Sequence, residues 1–184
     1  MATSTMATTT RRATEDDLWN VPENGRKYEL VDGELVMSPA GLRHGRICAR
    51  LVRTLGNFVH DGALGDVFDS STGFRLPSGN VRIPDVSFVS AARIADPVPN
   101  DFGNVPPDLA VEVLSPTDRP RLVLDKVGEY LDAGVRLVWV IDPEAARAAV
   151  HRSLTDVRHV DIDGTLDGAD VLPGFAVSLR ELLA

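Results

Sequence analysis

Residues 108–141 read DLAVEVLSPTDRPRLVLDKVGEYLDAGVRLVWVI, and this stretch decides the fold class. Its first seven residues form a short apolar run, long enough for a strand and too short for a helix, with one carboxylate, Glu112, inside it. Ser115-Pro116 ends the run. A helix is predicted over residues 119–133, stopped by Gly134. Residues 135–141, VRLVWVI, form a second buried strand, closed by Asp142-Pro143. Strands without polar alternation are covered on both faces, and two of them joined by a helix make a parallel pair with a right-handed crossover. A mixed α/β domain follows, with helices packed on the sheet.

The flanking sequence extends this layout. Residues 1–13, rich in Thr, Ser and Ala, are expected to be a flexible tail before a domain spanning 14–184. Thr14, with Asp17 three residues on, reads as the capped start of a short helix. KYELVDGELV, residues 27–36, alternates around Asp32-Gly33 as two strands and a tight turn. A helix is predicted from Leu42 to Val59, with Ile47, Leu51, Leu55 and Phe58 as its buried stripe. Arg43, Arg46, Arg50 and Arg53 line another part of it, as a solvated face or as contacts to a nucleic-acid backbone. Residues 67–75 and 81–89 read as consecutive strands split by Pro77-Ser78-Gly79-Asn80. Residues 91–107, with four prolines, read as a surface loop. Residues 148–152 and 157–162 read as an antiparallel pair, and residues 179–183 as a last short helix.

Composition narrows the function classes. At 184 residues, 43% apolar and 25% charged, the chain suits one ordinary globular domain. A net charge of −8 argues mildly against a dedicated nucleic-acid binder, although a local basic patch can coexist with it. The single cysteine, Cys48, rules out an intrachain disulfide, and no thiolate zinc site is expected. A reducing cytoplasm is the simplest compartment, and no apolar run is long enough to cross a bilayer. Neither a phosphate-binding Gly loop nor a dinucleotide fingerprint is present.

Three residues break local rules. Asp85 sits in RIPDVSFV between Pro84 and an apolar run, and Glu112 sits inside an apolar strand. A carboxylate in such a place is costly unless it is paired or binds a metal. Lys126 stands four residues from both Leu122 and Tyr130, at the border of its helix's apolar face. Two carboxylates and a lysine suit phosphodiester hydrolysis. Asp85 and Glu112 would hold Mg²⁺ (or Mn²⁺) through oxygen, and Lys126 would position the attacking water. The same residues also suit an ordinary structural ion pair. Glu29 and Glu34 are further acids for the site, with Glu29 favoured because Tyr28 and Leu30 flank it. Of the four histidines, expected mainly at the surface, His44 is placed to face a phosphate. Ser115 reads as a strand end and helix cap, and lacks the Gly-rich elbow of a nucleophile.

Taken together, KYELVDGEL, RIPDVSFV, AVEVLSP and DKVGEYLDAGVRLVWVIDP, in this order, resemble the Uma2 family of restriction-endonuclease-like proteins over roughly residues 26–152. The resemblance implies a PD-(D/E)xK nuclease fold: a mixed central sheet flanked by helices with a magnesium-dependent site. It maps Asp85 onto the Pro-Asp aspartate, Glu112 onto the second acid, and Lys126 onto a lysine moved from the strand to the next helix. The plain pattern's lysine position, two residues after the acid, is Leu114 here. A metal-dependent DNA endonuclease acting as a homodimer is the function so implied. Two alternatives stay open: a non-catalytic nucleic-acid-binding or protein-interaction module on the same fold, and a hydrolase acting on another substrate.

Overall fold

The computed structural model describes residues 11–22, 27–38, 41–94 and 96–184. Most of the expected N-terminal tail lies outside them. Within its last residues, the Ala13 amide donates to the Gly33 carbonyl.

The chain forms α1 (Glu15–Trp19), β1 (Lys27–Val31), β2 (Glu34–Ser38) and α2 (Leu42–Asp61). Four strands follow: β3 (Gly65–Asp69), β4 (Phe74–Arg75), β5 (Val81–Arg82) and β6 (Val86–Ser90). The central unit is β7 (Leu109–Val113), α3 (Pro120–Asp132) and β8 (Leu137–Asp142). It is followed by β9 (Arg147–His151), β10 (Val157–Asp161), β11 (Thr165–Gly168), β12 (Leu172–Ser178) and α4 (Leu179–Leu183). The main sheet has the order β10-β9-β8-β7-β6-β3, and only its β7–β8 pair is parallel among the ladders described. A smaller sheet runs β2-β1-β5-β4, and β11 pairs with β12. The mixed α/β sheet with flanking helices is as the sequence predicts.

Alternation along the strands assigns the two faces of the main sheet. Leu109, Val111 and Val113 of β7, with Leu137, Trp139 and Ile141 of β8, pack with Ile47, Leu51, Leu55 and Val59 of α2. Ala110, Val138 and Val140 point the other way, toward Val127 and Tyr130 of α3. Trp139 is fully buried, its ring stacked 6.1 Å from that of Phe175. The capping box predicted at Thr14 is present, with Asp17 accepting from the Thr14 amide at 2.7 Å. Asp32 and Gly33, both at positive φ, make the tight β1–β2 turn. Gly134, at φ 95°, follows the end of α3, where a left-handed residue relieves the last carbonyls.

Several expectations need correction. Residues 67–89 are four short strands shared between two sheets, because the turn at 70–73 and Pro84 each break the run. On α2, Val59 rather than Phe58 completes the buried stripe, the spacing being four residues throughout. Ser115 does not cap α3. Its hydroxyl donates to Asp118, and Pro120 supplies the helix's first turn. His151 is buried rather than exposed. The arginines of α2 are partly structural: Arg43 pairs with Glu144 at 2.9 Å, and Arg50 donates to the carbonyls of Leu182 and Ala184 at the end of α4.

Candidate active site

Both sheets and α3 deliver charged side chains to one place. On β1, Lys27 and Glu29 are two residues apart and share one side of the strand. Leu30 points to the other, into a cluster with Leu18, Val81 and Phe102. The chain leaves the small sheet through Ile83-Pro84 and enters the main one at Asp85, whose amide donates to the Val111 carbonyl. One step along the Val86–Val111 register sets Asp85 beside Glu112. Glu112 shares its sheet face with Ala110, and therefore looks toward α3. There Lys126 and Tyr130, four residues apart, come down together.

Three carboxylates are tied into this junction. Asp85 Oδ1 accepts from Lys27 Nζ at 2.8 Å. Its Oδ2 accepts from the Val113 amide at 2.8 Å and lies 3.1 Å from His44 Nε2. Glu112 accepts from Lys126 Nζ at 2.9 Å and from the Tyr130 hydroxyl at 2.8 Å. Glu29 Oε1 lies 3.0 Å from Lys126 Nζ and accepts from the Ile83 amide at 2.7 Å. Its Oε2 faces Arg82 at 3.3 Å, and Arg82 is held in turn by Glu129 at 2.6 Å. Glu29, Asp85 and Glu112 are respectively 2%, 5% and 9% exposed. Buried carboxylates persist because each is paired and hydrogen-bonded.

The electrostatics follow from burial and neighbours. Burial works against the Asp85 carboxylate, but the hydrogen bond from His44 and the charge of Lys27 hold it well below the usual carboxylate range. Burial raises Glu112, and the nearby Asp85 and Glu29 add to the rise against the pull of Lys126. Glu29, equally buried, stays low because Lys126, Arg82 and Lys27 surround it. Burial alone would lower Lys126, but Glu112 and Glu29 push it above an ordinary lysine.

His44 is raised to about 10, chiefly by its hydrogen bond to Asp85 and then by Cys48. This has a definite sign. The stability that charged His44 contributes is complete below its ordinary value of 6.5 and is lost as pH rises through about 10. The urea midpoint of the parent minus that of His44→Gln is therefore expected to decline between those limits. A difference that stays flat over that range would show that Asp85 does not hold the imidazolium.

The junction opens into a cleft of about 1060 Å³, lined among others by Lys27, His44, Asp85, Glu112 and Lys126. Asp85, Glu112 and Lys126 are all in it, as are the secondary candidates Glu29 and His44. Glu34, on β2, is exposed and takes no part. Sequence reasoning missed Lys27, Arg82, Glu129, Tyr130 and Cys48. Lys27 was legible, since it stands two residues before Glu29 on the same strand. Glu129 accepts from Ser78 and Arg82.

The profile of the Uma2 family, described as "Putative restriction endonuclease", matches residues 15–180. The chain belongs to the Uma2 family. A solved structure titled as that of "a putative nuclease belonging to DUF820", from Anabaena variabilis, superposes with a TM-score of 0.81. It is 20% identical, with 92% of this chain and 97% of that one covered, a likeness that speaks for the fold. No curated protein matches the chain. As a Uma2 member it carries the nuclease-like fold on which the cleft is built.

Proposed function

We propose that the chain is a metal-dependent DNA endonuclease that hydrolyses phosphodiester bonds at the cleft holding Asp85, Glu112 and Lys126. The observation that carries this reading is their convergence: a lysine sits within 3.0 Å of two buried carboxylates, Glu112 and Glu29, with Asp85 alongside. The donor set fits Mg²⁺ or Mn²⁺. Magnesium takes hard oxygen donors, commonly one or two carboxylates, and keeps several waters. Asp85 and Glu112 supply such oxygens at the wall of an open cleft. Glu112 is pushed up chiefly by burial, with Asp85 and Glu29 adding to it, so an added positive charge would favour its ionised form.

A divalent ion bound there would polarise a phosphoryl oxygen and acidify a water. The remaining work belongs to the chain. Lys126 donates to the attacking water and offsets phosphate charge. Glu29 holds the Lys126 ammonium in place, and Tyr130 fixes the Glu112 carboxylate by donating to Oε1. Lys27 and His44 orient Asp85. Arg53 and Arg119 also line the cleft, so an acidic protein still presents cations to a nucleic-acid backbone. Cutting both strands of a duplex calls for two such sites, and a homodimer is part of the proposal.

One observation favours a second reading, a nucleic-acid-binding or interaction module that does not cut. Lys27, His44, Lys126 and Tyr130 already engage the Asp85 and Glu112 carboxylates, so the site is closed without an ion. Supercoiled plasmid incubated with Mg²⁺ or Mn²⁺, alongside calorimetric titration of the same metals, separates the two. Nicked or linear product that a chelator prevents is the expected result. Metal uptake without cleavage of supercoiled, linear or single-stranded DNA would instead select the non-cutting module.

A further inference from the structure

The hydrolytic reading uses one side of Asp85. The other side faces α2, where His44 and Cys48 stand four residues apart on one helix face. Burial of Ile47, Leu51, Leu55 and Val59 fixes the rotation of α2, and with it the direction of these two side chains. Cys48 Sγ lies 3.5 Å from His44 Nδ1, and His44 Nε2 lies 3.1 Å from Asp85 Oδ2. One donor atom from each of the three residues falls within 4.8 Å of the other two. All three residues line the cleft.

These contacts permit two arrangements. One is a weak thiol–imidazole contact beside a His–Asp ion pair, with Cys48 a mere neighbour. The other is a mixed sulfur, nitrogen and oxygen donor set. Bonds of about 2.3 Å to sulfur and about 2.0 Å to nitrogen, at a tetrahedral angle, put the two donors about 3.5 Å apart. That is the spacing of Cys48 Sγ and His44 Nδ1. An imidazole gives an ion one nitrogen, so an ion bound through Nδ1 displaces the thiol proton and takes Asp85 as its third ligand by a side-chain shift, the three donors already lying within 4.8 Å of one another, while the cleft leaves a fourth position for water or a phosphate oxygen. Thiolate and imidazole select zinc-class ions, and carboxylates and water select magnesium.

We propose that His44, Cys48 and Asp85 form a second cation site that takes a borderline-soft divalent ion of the zinc or cobalt class. It shares Asp85 with the proposed magnesium ligands and rests on the hydrolytic reading only through that residue. On this proposal one thiolate is enough, contrary to the expectation from a single cysteine, because α2 supplies the imidazole and a second element the carboxylate.

Titrating the full chain with Co²⁺ alone tests the site. Cys48 is the chain's one cysteine, so a cobalt–thiolate charge-transfer band in the near ultraviolet reports on it directly. The band is expected to saturate at one ion per chain. Cys48→Ser should lose it and bind Co²⁺ at least about tenfold more weakly, since even partners one layer behind a ligand are worth about 10–100-fold. Glu112→Gln should keep the band while losing plasmid cleavage in Mg²⁺, so failure of this site and failure of the hydrolytic reading are seen separately. Without any substitution, Zn²⁺ should slow alkylation of the parent's thiol at least tenfold. Saturating Co²⁺ without a near-ultraviolet band, a band that survives Cys48→Ser, or unprotected alkylation would each overturn the proposal.

Discussion

Asp85→Asn is expected to reduce Mg²⁺-dependent plasmid cleavage by more than about 100-fold, the upper end of the loss seen when only a partner behind a metal ligand is removed. The substitution keeps the shape of the side chain and removes its charge. Lys27 and His44 would then face a neutral amide, and one of the two charged oxygen donors proposed for the ion would be gone. Adding metal should not restore the rate to the parent's, because a neutral amide oxygen binds Mg²⁺ less strongly than a carboxylate. Initial rates on supercoiled plasmid, with circular dichroism to confirm folding, make the measurement. An Asp85→Asn protein that cuts within tenfold of the parent removes Asp85 from the metal site.

Lys126→Met is expected to cost about 3–5 kcal/mol of folding stability, the usual price of leaving a buried charge without its partner. Lys126 is the shared cation of Glu112 and Glu29, and its methylenes cross the border of the α3 core. Methionine can replace the methylenes but not the charge. Domains of this kind are stable by about 5–15 kcal/mol, so the loss is a large fraction of the whole. With a urea dependence of about 2 kcal/mol per molar, the midpoint should fall by roughly 2 M. The pair Lys126→Met with Glu112→Gln should recover much of this loss. Glu112 then has no charge to strand, and Glu29 keeps Arg82 as its partner. Equal midpoints for the single and double variants would mean that the cost lies in packing rather than in charge.

The two experiments probe different aspects of one network. Its carboxylates are buried, yet the charges around them balance only through residues from separate elements: β1, the β5–β6 crossing, β7, α2 and α3. On the proposed reading, a cation would compete for the carboxylate oxygens, and a phosphate for the Lys27, His44 and Lys126 groups that engage them. Its parts are therefore structural and functional at once, and cleavage and stability have to be measured together.

Much of the site was legible because its residues violate local patterns. Glu112 interrupts an apolar strand, Asp85 follows a proline at a strand entry, and Lys126 borders an apolar helix face. Each violation is a local fact. Between Glu29 and Glu34, flanking residues favoured Glu29, but only the paired strands decided it: β2 leaves Glu34 in solvent, while β1 turns Glu29 toward Ile83 and Lys126. The β11–β12 hairpin went unread because its short strands alternate weakly and Asp167-Gly168 marks an irregularity inside β11 rather than the turn, which is residues 169–171.

By itself, the sequence determined the central β7–α3–β8 unit, the capped first helix and the β9–β10 pair, and it singled out Asp85, Glu112 and Lys126, the three residues proposed for the site. Periodicity, turn chemistry and misplaced charges are properties of neighbours in the chain, and these features need nothing more. The tertiary structure alone decided that residues 67–89 divide between two sheets, that Lys27 faces Asp85, and that Cys48 lies against His44, which pairs with that carboxylate. Lys27 and His44 stand 58 and 41 positions from Asp85 in the chain. Strand register and helix rotation set these pairings, and both are fixed by which apolar faces bury against each other.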